Sequence, residues 1–250
     1  MKVQNLLFFI LLSFALPVHA ADIYLPEDEL ILPPMLNDVV SAGTPEDHIN
    51  VTGVDKKSHE AKKGEWLDFG DSLNLPGRLA FQIIQREKIQ YVGGGVFEGR
   101  IGSGNFTKED SAYELNITRG WVKVWIKPDS AHSTLRIITD AATFLAKDGI
   151  FWISAHPGHT EVYLLDGEVL NEATKIPLTN RLYAKFDKGT DKPIYISKEW
   201  DPARIEVQIA ASYAHLVKLA TLAQEEWSDG KVARIYAGIR KKGWRKASRF

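Results

Sequence analysis

Apolar and polar positions alternate along most of the chain from Gly64 to Ser197. Leu79, Phe81 and Ile83 alternate, then Ile89 and Tyr91, then Tyr113, Leu115 and Ile117. Val122, Val124 and Ile126 continue the pattern, followed by Leu135 and Ile137, Phe151 and Ile153, and Val162 and Leu164. Period two with one apolar face predicts half-buried strands. Gly, Asp, Asn and Pro separate these runs at about 8 to 12 residues, the spacing of an all-β sandwich, barrel or coil of strands. Residues 93–106 hold six glycines. No helix pattern follows a Gly-Lys-Ser/Thr there, so the stretch is read as bulges or a flexible turn, not a phosphate loop.

The period changes at Asp201-Pro202. Asp201 suits a helix N-cap and Pro202 the first helical turn. Ile209, Tyr213, Leu216, Ala220, Ala223 and Trp227 then fall on one helical face, and Asp229-Gly230 ends it. A second amphipathic piece is predicted through Val232, Ile235, Tyr236 and Ile239, with a loose tail after Gly243. At the other end, Pro26, Pro33, Pro34 and Pro45 interrupt residues 22–63. Proline restricts its neighbours and removes a donor, so an extended arm is expected there, touching the body through Leu30, Ile31, Leu32 and Met35. The first twenty residues carry Lys2, an apolar run from Leu6 to Leu16 and a small-residue site at Ala20-Ala21, the layout of a secretory signal peptide, read as cleaved with an uncleaved anchor as the alternative. The expected organisation is a signal peptide at 1–20, an acidic proline-rich arm at 21–63, a β domain at 64–200 and a helical extension with a basic tail at 201–250. No later stretch is long and apolar enough to cross a membrane.

Composition narrows the setting. About 230 residues remain after cleavage, enough for one substantial core or two small ones. The chain has no cysteine, hence no disulfide framework and no thiolate. For an exported chain this fits a bacterial envelope, so the expected location is the periplasm, with secretion beyond the outer membrane as an extension. Charge is polarised: seven carboxylates and no Lys or Arg in 22–50, eight basic residues and no carboxylate in 231–250. Such a chain can attract its own other end or an external anion.

Candidate chemistry is sparse. His156 and His159 flank Pro157-Gly158, and Glu161 is the nearest further metal ligand. A metal site wants three or four ligands, so these histidines are read as the bend of a hairpin. Asp166 precedes Gly167, a pair that favours a tight turn, and Glu168 follows. Nothing in their spacing sets two carboxylates across a pocket as acid–base work requires. Catalytic, cofactor and metal sites are therefore each assigned as none, and the chain is read as no enzyme. Trp121 and Trp125 share strand parity opposite to Val122, Val124 and Ile126, which puts both indoles on the outer face. They form either an exposed stacking surface or the bed of the C-terminal helix. Arg240, Lys241, Lys242, Trp244, Arg245 and Lys246 complete the candidate interaction surface. That tail either grips an anionic envelope surface or partner, or stays solvated beside the acidic arm. An exported protein rarely meets nucleic acid, so none is expected as a partner.

One block resembles a known family. Leu115, Gly120, Val122 and Val124, then Leu135, Ile137, Thr139 and Ala142, then Thr160, Val162, Leu164, Gly167 and Val169 are similar to the strand motifs of the FecR-type periplasmic domain. The family's Gly-Thr-x-Phe element departs here to Gly149-Ile150-Phe151-Trp152. The resemblance spans about residues 64–200, loosely before 112. It implies a mainly β, solenoid-like or sandwich-like unit, and binding or signal relay rather than catalysis. Only Met1 to Asn5 precede the apolar run, so the family's cytoplasmic sigma-regulating segment is not carried over. The leading expectation is a non-enzymatic periplasmic FecR-like protein that binds an envelope protein partner. A peptidoglycan- or glycan-binding accessory is the alternative, and an envelope hydrolase a third.

Overall fold

In a computed structural model, the structure describes residues 34–41, 48–85, 89–106, 111–127, 133–179, 181–190, 192–198, 200–230 and 234. The predicted signal peptide, most of the acidic stretch and nearly all of the basic tail lie outside these residues. The described strands are β1 (Met35–Ser41), β2 (Ile49–Thr52), β3 (Ser58–Ala61), β4 (Glu65–Trp66), β5 (Ser72–Leu75), β6 (Leu79–Gln85) and β7 (Ile89–Phe106). They continue with β8 (Ser111–Ile126), β9 (Ser133–Thr139), β10 (Thr143–His156), β11 (His159–Asn171), β12 (Pro177–Thr179), β13 (Leu182–Asp187) and β14 (Tyr195–Ser197). One helix follows, α1 (Pro202–Ser228). The expected mainly β architecture with a C-terminal helix is observed: the strands form one large sheet that does not close, with a main path running from β14 to β3.

Two features differ from the sequence reading. The arm expected before Gly64 contains β1, β2 and β3, which pair into the same sheet through β6 and β5. Pro34 lies outside these strands and bounds them instead of breaking them. Ile49 and Val51 bury one face at period two, as any half-buried strand does. The second difference is strand length. The turn expected at Asp166-Gly167 is a kink inside the continuous strand β11. Likewise Gly149 lies inside β10 and Gly120 inside β8.

These glycines let one sheet fold over its own core. Residues 111–117 of β8 pair parallel with β9, whereas residues 120–126 pair antiparallel with β10. Strand β10 does the same in reverse, meeting β9 with residues 143–146 and β8 with residues 149–155. Both halves of each strand nevertheless feed one core, in which Leu115 and Ile117 join Val122, Val124, Leu135 and Phe151. The arrangement is thus sandwich-like, with the bend built into the strands. Each large side chain buried there contributes about 1.5–3 kcal/mol. Gly149 and Gly167 are directly paired at the bend, with φ of +119° and +87°. A Cβ on Gly149 would lie 2.4 Å from the Asp166 carbonyl oxygen, and one on Gly167 would lie 2.4 Å from the Gly149 Cα. No side chain fits where two backbones approach this closely.

Among the described residues, Tyr91 brings a polar group into the core without a partner for it. The Tyr91 hydroxyl is fully buried and has no hydrogen-bond partner, and burial pushes its ionisation well above the usual tyrosine range. An unsatisfied buried hydroxyl costs about 1–3 kcal/mol. Tyr91→Phe is therefore expected to raise unfolding stability in urea by about 1 kcal/mol. A loss of that size would show instead that the hydroxyl is satisfied in solution.

Candidate binding face

Strand parity sends one set of residues into the core and the other set outward. The outward set forms a row across seven strands. Gln82 of β6 pairs with Val92 of β7, Val92 with Lys123 of β8, and Lys123 with Trp152 of β10. Trp152 then pairs with Tyr163 of β11, Tyr163 with Tyr183 of β13, and Tyr183 with Ser197 of β14. Direct cross-strand neighbours of this kind are the unit of sheet stabilisation.

The helix α1 covers one end of the row. Asp201 caps it through a bond from the Ala203 N–H at 3.0 Å, and Pro202 stands in its first turn, both as the sequence predicts. Of the predicted face, Ile209, Leu216, Ala220, Ala223 and Trp227 are buried, joined by Ile205 and Leu219. Tyr213 departs from helical geometry, with φ −139° and ψ 58°, and kinks α1. Its ring fills a notch over Gly77 and Gly95, where a Cβ on Gly95 would stand 3.0 Å from it. That contact accounts for part of the glycine-rich stretch. The rest marks irregular pairing, since the β7–β8 register shifts between Gly94 and Glu98.

Polar bonds dock the helix on both sides of the kink. Beyond it, Gln90 Nε2 donates to the Ala223 carbonyl at 3.0 Å, Gln82 Nε2 to Glu226 at 3.2 Å, and the Trp125 indole N–H to Gln224. Before it, Lys123 Nζ donates to Glu206 Oε1 at 2.7 Å, and Trp152 Nε1 reaches the same oxygen at 3.4 Å. The Lys123 ammonium also lies 5.2 Å from the Trp125 ring and 5.5 Å from the Trp152 ring, within cation–π range.

Trp121 and Trp125 therefore have the predicted outward parity but unequal fates. Trp125 is fully buried under α1 and offers no free surface. Trp121 is half-buried, stacked on Tyr163 at 6.1 Å and edge-on to Trp152 at 6.3 Å. The remaining candidates, Arg240, Lys241, Lys242, Trp244, Arg245 and Lys246, lie outside the described residues.

Beyond the helix the row continues in tyrosines. Tyr163 and Tyr183 stand 4.7 Å apart, Tyr183 and Tyr195 5.6 Å, and Trp200 packs edge-on to Tyr163 at 5.6 Å. The Tyr163 and Tyr183 hydroxyls both donate to Glu161, at 2.7 and 3.2 Å. Burial first, and then the nearby Glu161 carboxylate, push Tyr183 up to about 12. Glu161 is thus turned towards the tyrosines. The histidines flank the predicted hairpin bend: His156 and His159 pair across β10 and β11 with rings stacked at 4.7 Å, and His156 Nε2 meets Ser154 Oγ at 2.7 Å. Burial and the neighbouring His159 hold His156 below the usual histidine range.

The row ends at an open edge. β14 is the last strand of the order, and no described strand pairs with its outer side. Ile194, Tyr195 and Ile196 are 51, 54 and 45 % exposed there. Sequence reasoning found the strand but not the exposure. Ile196 pairs with the buried Ala184, and an apolar residue of that parity reads as core.

No protein-family model matches the chain, and no curated protein matches it. Two solved structures are similar in fold. Both are crystal structures of a "putative anti-sigma factor" from Parabacteroides distasonis ATCC 8503. The first, solved at 1.65 Å, is 11% identical with a TM-score of 0.45, over 55% of this chain and 64% of that one. The second, at 2.50 Å, is also 11% identical, with a TM-score of 0.35 over 68% of this chain and 64% of that one. This chain thus matches somewhat less than two thirds of each neighbour's length, and the likeness is one of coarse architecture. Among the described residues, no helix is long and apolar enough to cross a membrane.

Proposed function

We propose that this protein is a non-enzymatic binding module of the bacterial periplasm. It engages an envelope protein partner, in signalling or in envelope organisation, through the β13–β14 end of its aromatic row. The observation that carries the proposal is the run of exposed Ile194, Tyr195 and Ile196 at and just before the edge strand β14. Edge backbone with apolar neighbours is a template for a partner segment. The acid–base groups along the row serve its structure: Glu161 holds two tyrosines and Glu206 holds Lys123 and α1. The resemblance of 115–169 to the FecR-type domain supports the same reading.

The test is a photo-crosslinking residue placed at Tyr195 or Ile196 in cells, with exposed Val54 as reference. A discrete protein adduct from 195 and 196, absent at 54, is the expected result. Ile196→Asp beside the crosslinker at 195 should reduce that adduct roughly tenfold, the effect of losing an interface anchor. Equal labelling from all three positions would remove the proposal. Glycan binding is the second reading, favoured by the exposed Tyr195 ring beside Tyr183. It predicts instead that the chain co-sediments with purified peptidoglycan and that Tyr195→Ala abolishes this.

A further inference from the structure

The β9–β10 turn, the β11–β12 turn and the loop after β13 meet around an open hollow of about 370 Å³. That size lies within the roughly 300–1,000 Å³ of small-molecule sites. Thr143, Asn171 and Glu172 give its wall polar groups, and Ala141, Ala142 and Ala173 give small apolar surface between them.

Bonds between the turns hold this wall in place. The Glu172 N–H donates to the Thr143 carbonyl at 2.9 Å, and the Thr160 hydroxyl donates to Thr139 Oγ1 at 2.7 Å. The charges around it are paired. Asp140 accepts from Lys188 Nζ at 2.8 Å and from the Gly158 N–H at 3.2 Å, and Arg136 Nε donates to Glu172 Oε2 at 2.9 Å. An ionic ligand would have to compete with these pairs, whereas a neutral one would not.

Some polar groups on the wall keep unused capacity. Asn171 is 2 % exposed, and its Oδ1 accepts from the N–H and the hydroxyl of Thr174 at 2.9 and 2.8 Å. A backbone N–H can only donate, so the atom it meets is the oxygen, and the amide nitrogen faces elsewhere. Among the described residues, Asn171 Nδ2, Glu172 Oε1 and the Thr143 hydroxyl have no hydrogen-bond partner. A donor fixed on a nearly buried side chain calls for an acceptor from outside the chain. The wall therefore offers a donor, a carboxylate acceptor and a hydroxyl that does both.

We propose that this hollow binds a neutral mono- or disaccharide, at a site apart from Tyr195 and the β14 edge. Adjacent sugar hydroxyls donate and accept together, so one pair satisfies both Glu172 Oε1 and Asn171 Nδ2. The alanines leave room for the ring and meet its C–H surface.

Cellobiose and N,N′-diacetylchitobiose are the probes. Each is titrated into the full chain while the Asn171 side-chain amide is followed by NMR. Saturable movement of that signal with at least one of them is the expected result. In Glu172→Gln the amide oxygen stays with Arg136, which only donates, so an N–H group replaces Oε1. Ala173 is exposed, and Ala173→Tyr fills the hollow from its rim. Each variant should weaken binding at least about tenfold, while Tyr195→Ala leaves it within about twofold. No saturable movement with either sugar overturns the proposal. So does unchanged affinity in either Glu172→Gln or Ala173→Tyr, or a stronger response to inorganic phosphate or spermidine than to the sugars. Binding lost only in Tyr195→Ala would remove this site and leave the glycan reading of the aromatic row standing. The result is independent of the crosslinks from 195 and 196, so either proposal can fail alone.

Discussion

Gly167→Ala is expected to lower unfolding stability by about 4 kcal/mol, whereas Gly158→Ala costs only about 1 kcal/mol. Both glycines have nearly the same φ, +87° and +86°. A Cβ in that region costs about 1–2 kcal/mol by itself. At Gly158, in the His156–His159 hairpin, the added Cβ would meet nothing within 4 Å. At Gly167 it would stand 2.4 Å from the Gly149 Cα and 2.9 Å from the Asp148 carbonyl oxygen. Backbone cannot rotate away as a flexible side chain can. The bend between the two halves of β10 and β11 must open, adding about 1–3 kcal/mol of overpacking. A total near 4 kcal/mol is a large part of the 5–15 kcal/mol typical of a native protein. At this chain length it corresponds to roughly 10 °C in Tm. Urea denaturation of the two variants decides the matter, because both share the positive φ and differ in what the added Cβ meets. Equal losses would mean that the close approach at Gly149 and Gly167 does not govern the bend.

The same pair shows what the sequence reveals and what it conceals. Asp-Gly is a sound turn signal, because glycine accepts a positive φ. The positive φ is indeed present at Gly167, but inside a strand. A local signal reports that the chain bends; whether pairing continues through the bend depends on the neighbouring strand. Here Gly149 lies opposite, and both strands kink together. The proline-bounded β1 to β3 were missed for a related reason. Their pairing partners, β6 and β5, lie well along the chain, and no local pattern names them.

The binding face was half visible. Parity alone put Trp121 and Trp125 outward, and the 3.6-residue period alone predicted α1. What α1 would cover could not be read, because parity gives the same outward direction to an exposed stacking surface and to the bed of a distant helix. Glu206 carried no signal at all. One carboxylate on a helix surface looks like any other until the strand beneath it presents a lysine between two indoles.

That lysine supports the second large effect. Glu206→Ala is expected to cost about 3 kcal/mol, and Lys123→Met only about 1 kcal/mol. The asymmetry follows from solvent access. The Lys123 side chain is 7 % exposed, whereas that of Glu206 is 32 % exposed. Removing the carboxylate leaves an ammonium enclosed by Trp125 and Trp152 without a counter-charge, the situation that makes a broken buried pair expensive. Removing the ammonium instead leaves a carboxylate that water can reach, and methionine fills the slot against both rings with favourable sulfur contacts. The double variant Lys123→Met with Glu206→Ala should therefore be about 2 kcal/mol more stable than the sum of the single losses predicts. The structural consequence is local as well. The kink at Tyr213 separates the turns held by Glu206 from those held by Ala223, Gln224 and Glu226. In Glu206→Ala, amide hydrogen exchange should accelerate across 203–212 and remain slow across 216–228. Exchange that rises equally along the whole of α1, or single losses of equal size, would show that Glu206 holds the helix by packing alone and that the charge on Lys123 is indifferent to it.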